Sequence, residues 1–258
     1  MTIFDSRGLL VRTMSIASIG VPSLTARGDV LVASLPVLNP NTTNRTVRVT
    51  VDRPGGPSGA VLLDTTISDP TFTVPIGKGW FVGPQPFSDH PLVRLAQDGS
   101  AIALIDRTTR RGASPDIAVT LRRGSGEIVY RLRTTYRPVP LDRGAIAAAV
   151  DSTVAALLPH VRGTSRSELA TAVRGAMVVP AHRPSVTEAI ALPDGSVWLR
   201  REDTGQPQVV WTVVNGRGTV VGQVLLPRSA RVLAVEGRVC FVNELDADGV
   251  SEVVKYRW

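Results

Sequence analysis

Residues 186–227 read VTEAIALPDGSVWLRREDTGQPQVVWTVVNGRGTVVGQVLLP, and this stretch decides the fold. Short apolar runs alternate with turns that carry Asp194-Gly195 and Asn215-Gly216-Arg217-Gly218. Strand-sized runs separated by turns rich in Gly, Asp and Asn are typical of antiparallel hairpins. The stretch therefore predicts four consecutive strands, at residues 186–192, 197–202, 208–214 and 219–225.

The same arrangement recurs along the chain. Arg27-Gly28-Asp29, Asp98-Gly99 and Glu236-Gly237 each precede a further apolar run. Paired hairpins that recur at a domain-scale period are typical of a β-propeller. We therefore predict an all-β fold, a β-propeller with about four recognisable blades, formed by residues 1–258 as one domain. The other blades are expected at residues 22–26, 30–37, 46–52 and 60–67, at 92–96, 101–107, 116–122 and 127–135, and at 230–235, 238–244 and 252–258.

We expect the N-terminal strand to complete the last blade. The last blade has only three predicted strands, and Leu9–Thr13 is an apolar strand without a blade of its own. Pairing the two would remove an open sheet edge. The opening IFDSRGLLVRT reads as the outer hairpin of a blade, without the basic start and apolar stretch of a signal peptide. This predicts an N-terminally shortened chain.

A helical pattern interrupts the strands between Pro140 and Pro180. Apolar residues recur there at helical spacing, and Ser165 and Glu168 match a capping box. We predict an αα-hairpin at residues 141–178, inserted between two blades. Residues 71–88 contain many prolines and glycines and are expected to be irregular. The residues expected on the buried faces of the helices are Ile146, Val150, Val154, Leu157, Leu158, Leu169, Val173 and Met177.

Charge and composition narrow the possible partners. The net charge is +7, and 27 of the 29 basic residues are arginine. These arginines are spread along the whole chain, and aromatic residues make up only 5%. Nucleic-acid binders gather basic charge on one face, commonly beside stacking aromatics. We therefore expect no nucleic-acid partner, and no apolar run is long enough to predict a membrane span.

Residues 86–107, 136–140, 186–227 and 230–258 carry a resemblance to a known family. They look like the bacterial six-bladed β-propellers related to the NHL and TolB-like groups. The likeness covers residues 86–258 well and residues 1–85 loosely. It implies a six-bladed ring and a periplasmic or secreted location, and its motifs are structural and carry no catalytic signature.

The sequence contains no specific catalytic or metal motif. The three histidines, at positions 90, 160 and 182, are far apart and lack zinc-ligand spacing. The single cysteine, Cys240, lies in an apolar strand and is expected to be a small buried hydrophobe. Neither a nucleophile elbow nor a phosphate-binding loop is present. We expect no catalytic residue and no cofactor, except a Ca²⁺ ion if the protein is a metal-dependent enzyme.

Candidate binding residues follow from the topology. The Gly turns join the first strand to the second and the third to the fourth, so they share one face of the predicted disc. The opposite face carries the remaining loops and the helical hairpin, and loops on a rigid scaffold concentrate binding groups. Mixed arginines and carboxylates there suit recognition of an anionic or peptide-like partner. The residues predicted to bind are His90, Arg107, Arg137, Arg200, Arg201, Glu202 and Glu244.

Three functions remain open from the sequence. The preferred one is a non-catalytic propeller that binds a ligand or protein on its loop face, with the helical hairpin as a lid or docking element. A metal-dependent propeller lactonase or esterase is the alternative, for which Asp106, Asn243 and Glu244 would have to converge. An incomplete structural fragment without a site is the third.

Overall fold

The computed structural model of the protein contains antiparallel strands and two α-helices. It describes residues 2–4, 7, 9–13, 20–24, 30–34, 44–52, 60–68, 71–77, 79–96, 98–107, 116–123, 125–161, 163–201, 208–245 and 248–258. The helices are α1 (Arg143–Leu157) and α2 (Arg166–Ala176). The strands are β1 (Thr2–Phe4), β2 (Leu10–Thr13), β3 (Gly20–Leu24), β4 (Val30–Ser34), β5 (Asn44–Asp52), β6 (Ala60–Ser68), β7 (Thr71–Ile76), β8 (Gly79–Pro84), β9 (Leu92–Leu95), β10 (Ala101–Asp106), β11 (Asp116–Arg123), β12 (Ile128–Thr135), β13 (Glu188–Ala191), β14 (Val197–Arg201), β15 (Gln208–Val214), β16 (Val220–Pro227), β17 (Arg231–Glu236), β18 (Val239–Leu245) and β19 (Ser251–Arg257).

The strands form several antiparallel sheets in which neighbours in the chain are neighbours in the sheet. Sheet 1 contains β3–β6, sheet 2 contains β9–β12, sheet 3 contains β13–β16 and sheet 4 contains β17–β19. These sheets confirm the predicted strand quartets and the final set of three, with bounds that differ by at most three residues. The fold is mostly antiparallel β-structure with two helices. The propeller itself stays a prediction, because the described sheets do not establish a closed ring of blades.

The two middle strands of sheet 3, β14 and β15, are buried on both faces over most of their length. One face contributes Val197 and Leu199 to a core shared with Ala103, Ile105 and Val119 of sheet 2. The other face contributes Trp198 and Trp211 to a core shared with sheet 4. Successive side chains of a strand point to opposite faces, so an unbroken apolar run is typical of a sheet covered on both sides. Sheets 2, 3 and 4 therefore stack face to face in chain order.

Tryptophans and the buried thiol lie between sheets 3 and 4. The rings of Trp198 and Trp258 meet edge to face with centroids 5.4 Å apart. Cys240 is fully buried in the same core, and burial raises the pKa of its thiol. A buried neutral thiol packs as a small apolar group, so the expectation for Cys240 is confirmed.

The predicted pairing of the chain ends is not what the structure contains. Leu10–Thr13 pairs with Thr2–Phe4 in a two-stranded sheet, and sheet 4 has three strands within the described residues. A local hairpin closes a loop of a few residues, whereas pairing with β19 would close one that spans nearly the whole chain. The shorter loop costs less conformational entropy.

Both predicted helices are present, and the predicted capping box opens α2. Asp142 accepts a hydrogen bond from the Ala145 amide at the start of α1. Ser165 and Glu168 form the capping box of α2, in which the Ser165 N–H donates to Glu168 at 2.8 Å. Neither described helix has the length and apolar character needed to cross a membrane. The predicted residues that are buried are Val150, Val154, Leu157, Leu169, Val173 and Met177, whereas Ile146 and Leu158 are half-buried.

The expectation of an irregular segment at residues 71–88 was wrong for its first part. β7 and β8 form a hairpin, and Phe72 and Val74 on alternate positions of β7 are buried. They pack against Val150 and Val154 of α1 and against residues of α2 in a core of their own. Prolines and glycines suggested a loop, but burial against the helices stabilises the strand despite them. We call β7, β8, α1 and α2 the hairpin–helix unit.

We expect the helical circular dichroism signal to fall below about pH 4. Hydrogen bonds from the Ala145 amide and from Arg183 lower the pKa of Asp142. Hydrogen bonds from the Ser165 hydroxyl and amide lower the pKa of Glu168. A carboxyl whose pKa is lowered by folding stabilises the folded state above its unfolded pKa, and this is lost as the pH falls through the folded pKa.

Far-ultraviolet circular dichroism measured across an acid titration checks this. The double variant Asp142→Asn, Glu168→Gln keeps both cap acceptors and removes the two titrating groups, so its acid titration should be flatter. A variant that titrates like the wild type would show that the caps do not cause the acid sensitivity.

Candidate functional site

The two ends of sheets 2 and 3 differ in how tightly they pack. At the end that carries the Gly turns, which we call the turn end, the Tyr130 hydroxyl of sheet 2 donates to the Gly195 carbonyl of sheet 3 at 3.3 Å. A Cβ on Gly218 would lie 2.7 Å from the Tyr130 ring. A Cβ on Gly216 would lie 2.4 Å from the Asp194 carbonyl oxygen. Gly218 therefore lets its turn interlock with sheet 2, and Gly216 lets the two turns of sheet 3 pack against each other.

Equivalent turns of sheets 2 and 3 share one hydrogen-bond pattern. In sheet 2 the Ser100 amide and hydroxyl donate to Asp98 Oδ1 at 2.9 and 2.6 Å. In sheet 3 the Ser196 amide and hydroxyl donate to Asp194 Oδ1 at the same two distances. A carboxylate that accepts from the backbone two residues later is a local turn-forming bond. The hydrogen bonds of the Asp-Gly-Ser turns therefore stabilise the turns themselves.

The opposite end of the sheets is held by one buried arginine. Arg107 is 4% exposed and follows β10. Its Nε donates to the His90 carbonyl at 2.7 Å, its Nη2 donates to the Ser88 carbonyl at 3.1 Å, and its Nη1 donates to the Val186 carbonyl. The guanidinium fork thus joins the start of sheet 2 to the start of sheet 3. Burial lowers the pKa of Arg107 to about 10, so it stays charged at neutral pH.

A cavity of about 340 Å³ opens at this end, between the sheets and the hairpin–helix unit. We call it the junction cavity. Its size is at the small end of the range of about 300–1,000 Å³ that is usual for small-molecule sites. Three separate segments of the chain form its walls. They contribute Gln85, Pro86, Phe87, Ser88 and Asp89, then Tyr136, and then Val178, Pro180, Ala181, His182, Arg183 and Pro184.

Gln85 forms part of the wall of the junction cavity. Its side chain is 7% exposed, and its Nε2 donates to the Val178 carbonyl at 2.7 Å. Its Oε1 is buried and accepts no hydrogen bond from the described part of the chain. A buried acceptor without a donor has lost its hydrogen bonds to water, and this raises the free energy of the folded state. Gln85 and Pro86 also line a wider groove of about 760 Å³ beside Trp80, which is 72% exposed.

Phe87 lines the junction cavity in a strained backbone conformation. Its φ is 59°, and no other non-glycine residue in the described ranges has a positive φ. The left-handed region costs a side-chain-bearing residue about 1–2 kcal/mol. Such strain is found preferentially at binding and catalytic sites. Phe87 is therefore a candidate binding residue that the sequence analysis did not single out.

The charged residues of the cavity are already engaged with other residues. Arg183 forms an ion pair with Asp142, the N-cap of α1, and its amide donates to the Val139 carbonyl at 2.8 Å. Asp89 interacts electrostatically with the nearby Arg107. The Leu141 amide donates to the Ala181 carbonyl at 3.1 Å. The segment that leads into α1 and the segment that leaves α2 therefore hold each other at the rim.

Three of the predicted binding residues lie at or beside the cavity. His90 is half-buried, its amide donates to the Ser88 hydroxyl at 3.3 Å, and its carbonyl accepts from Arg107. Arg137 is exposed and follows Tyr136 of the cavity wall. Arg107 lies behind the wall, where its donors go to backbone carbonyls. Arg107 therefore holds the wall of the cavity in position and is not one of the residues that line it.

Arg200, Arg201 and Glu244, the other predicted residues that the structure describes, lie in sheets 3 and 4. The Arg200 side chain is 18% exposed, lies 3.4 Å from Glu188 and donates to the Arg228 carbonyl at 3.1 Å. Arg201 is half-buried beside it, and Glu202 lies outside the described residues. Glu244 accepts a 2.6 Å hydrogen bond from Tyr256, which raises the pKa of Tyr256 to about 12. None of these side chains lines the junction cavity.

Most of the cavity wall was not predicted from the sequence. Gln85 belongs to no motif, and Phe87 and Tyr136 lie in segments that were noted only for their family resemblance. His182 and Arg183 lie between prolines after a helix. The one available signal was the polar run Ser88-Asp89-His90, from which only His90 was chosen. In the described residues, no three His, Cys, Asp or Glu side chains cluster in a way that could hold a metal ion.

Models of known protein families give no match to this sequence, and neither do curated proteins.

Proposed function

We propose that the protein is a non-catalytic binding module of the β-propeller type, related to the bacterial NHL and TolB-like propellers, that recognises a ligand or partner at the junction cavity. Face-to-face stacking of sheets 2, 3 and 4 in chain order supports a propeller-like arrangement. The Arg94 Nε on β9 also donates to the Ala189 carbonyl on β13 at 3.0 Å, so the first strands of successive sheets are in contact. Ring closure and blade number remain part of the proposal.

The proposed location of the site rests on a difference between the two ends of the sheets. At the turn end, glycines, Tyr130 and the Asp-Gly-Ser turns fill the space between sheets 2 and 3. At the opposite end, a cavity with a strained aromatic and a buried acceptor lies between the sheets and the hairpin–helix unit. Binding groups concentrate in loops held by a rigid scaffold, and convergent polar groups in a preformed cavity are typical of ligand sites.

We expect a ligand found by screening to depend on Phe87 and to be indifferent to the turn end. The screen uses thermal shift and native mass spectrometry of the full chain against a mixed library of anionic, cationic and neutral small molecules. Phe87→Ala removes the ring from the wall and should weaken the best binders by about tenfold, the effect expected of a binding hot spot.

Arg217→Ala, an exposed change at the turn end, is the matched control and should leave binding unchanged. Binders that respond to Arg217→Ala and ignore Phe87→Ala would place the site at the wrong end of the sheets. Melting curves of both variants separate a lost contact from a lost fold.

A further inference from the structure

We propose that the junction cavity takes a neutral, compact molecule with an apolar body and one N–H or O–H group, and that this group donates to Gln85 Oε1. This inference rests on the proposed function, which places binding at this cavity. It adds the chemical class of the ligand, which follows from the polar, apolar and charged parts of the wall in turn.

The polar part of the wall favours a ligand that can donate a hydrogen bond. The Nε2 of Gln85 already donates to the Val178 carbonyl, so Oε1 is the atom of this amide that can take a new partner. Its Oε1 has no donor among the described residues and is closed to solvent in this conformation. The terminal torsion of a glutamine is broad, so a small rotation of the amide turns Oε1 toward a ligand. A ligand N–H or O–H would then supply the missing hydrogen bond.

The charge of the wall favours a neutral ligand. A glutamine oxygen carries no net charge, so it cannot compensate an ammonium buried against it. Arg183 is paired with Asp142, and Asp89 interacts with Arg107. An anion would compete with Asp142 for Arg183, and a cation would compete with Arg107 for Asp89. A neutral donor disturbs neither interaction.

The apolar part of the wall sets the shape of the ligand. Phe87 and Tyr136 contribute aromatic rings, and Pro86, Pro180 and Pro184 contribute flat aliphatic rings. Rings and prolines pack well against a planar body. The volume of about 340 Å³ limits that body to a compact one. A small aromatic amide has all the required features.

Benzamide and acetophenone test the proposal directly, because they differ only in the amide NH₂ that a methyl group replaces. Ligand-observed NMR titrations of the full chain should give benzamide about fivefold tighter binding than acetophenone, as expected for one net hydrogen bond. Gln85→Met keeps the length of the side chain and removes the acceptor, so the preference should vanish. Gln223→Met, the same change at an exposed position, should retain it.

Benzoate and benzylammonium are the charged counterparts of benzamide, and both should bind more weakly than it does. Tightest binding by either one, a preference for benzamide that survives Gln85→Met, or no binding of benzamide would overturn the proposed ligand class. If Gln85→Met does not fold, Gln85→Asn withdraws the same amide by one methylene and should also abolish the preference.

The library screen separates this proposal from the proposed function. Library binders that depend on Phe87 while the benzamide series fails would leave the cavity as the binding site and remove only the ligand class. Library binders that ignore Phe87 would remove the cavity itself.

Discussion

Gly218→Ala should lower the free energy of unfolding by about 3 kcal/mol. The φ of Gly218 is 77°, which costs an alanine about 1–2 kcal/mol. The new Cβ would also lie 2.7 Å from the Tyr130 ring, which is held between sheets 2 and 3. Forcing such a contact in a packed interior typically costs about 1–3 kcal/mol. For a chain of this size the melting temperature should fall by about 6–12 °C.

Gly237→Ala is the matched control for that prediction. Its φ is 56°, and no atom of the described residues lies within 4 Å of the position that a Cβ would take, so only the backbone strain remains. Thermal melts of both variants should therefore show a clearly smaller loss for Gly237→Ala. Equal losses would mean that the turn end is not interlocked as described.

Arg107→Met should also destabilise the protein by about 3 kcal/mol and should weaken ligand binding. The change leaves the buried carbonyl of Val186 and the partly buried carbonyls of His90 and Ser88 without their donor, and an unsatisfied buried polar group costs about 1–3 kcal/mol. Because Ser88 lines the junction cavity, loss of the guanidinium should also loosen its wall. Chemical denaturation and the library titration measure the two effects.

Arg107→Lys should not restore stability, because an ammonium cannot reproduce the planar fork that reaches three acceptors. Arg131→Met, at an exposed position of β12, should change stability by no more than about 0.5 kcal/mol. A stable Arg107→Met variant with intact binding would show that Arg107 does not hold this end of the sheets together.

Strands and helices could be predicted because their signals are local. The Asp-Gly and Asn-Gly turns marked the strand ends of sheets 2 and 3, and the capping box marked the start of α2. The hairpin of β7 and β8 was missed, because its prolines and glycines are local breakers, whereas the helix core that stabilises it comes from residues about 75–100 positions later.

The candidate site could not be predicted because its parts are distant in sequence. Gln85 and Val178 are 93 positions apart, and only the packing of the hairpin–helix unit brings them together. Arg107 resembled a surface arginine because its neighbours in sequence are polar. Its acceptors are backbone carbonyls, which leave no trace in side-chain patterns.

Amide hydrogen exchange, measured with and without a bound library ligand, tests the location of the site most directly. We expect slower exchange in peptides that cover residues 85–90 and 178–187, and unchanged exchange at residues 193–197 and 214–219. Protection confined to the turn end, with none around Gln85 and Arg183, would contradict the account.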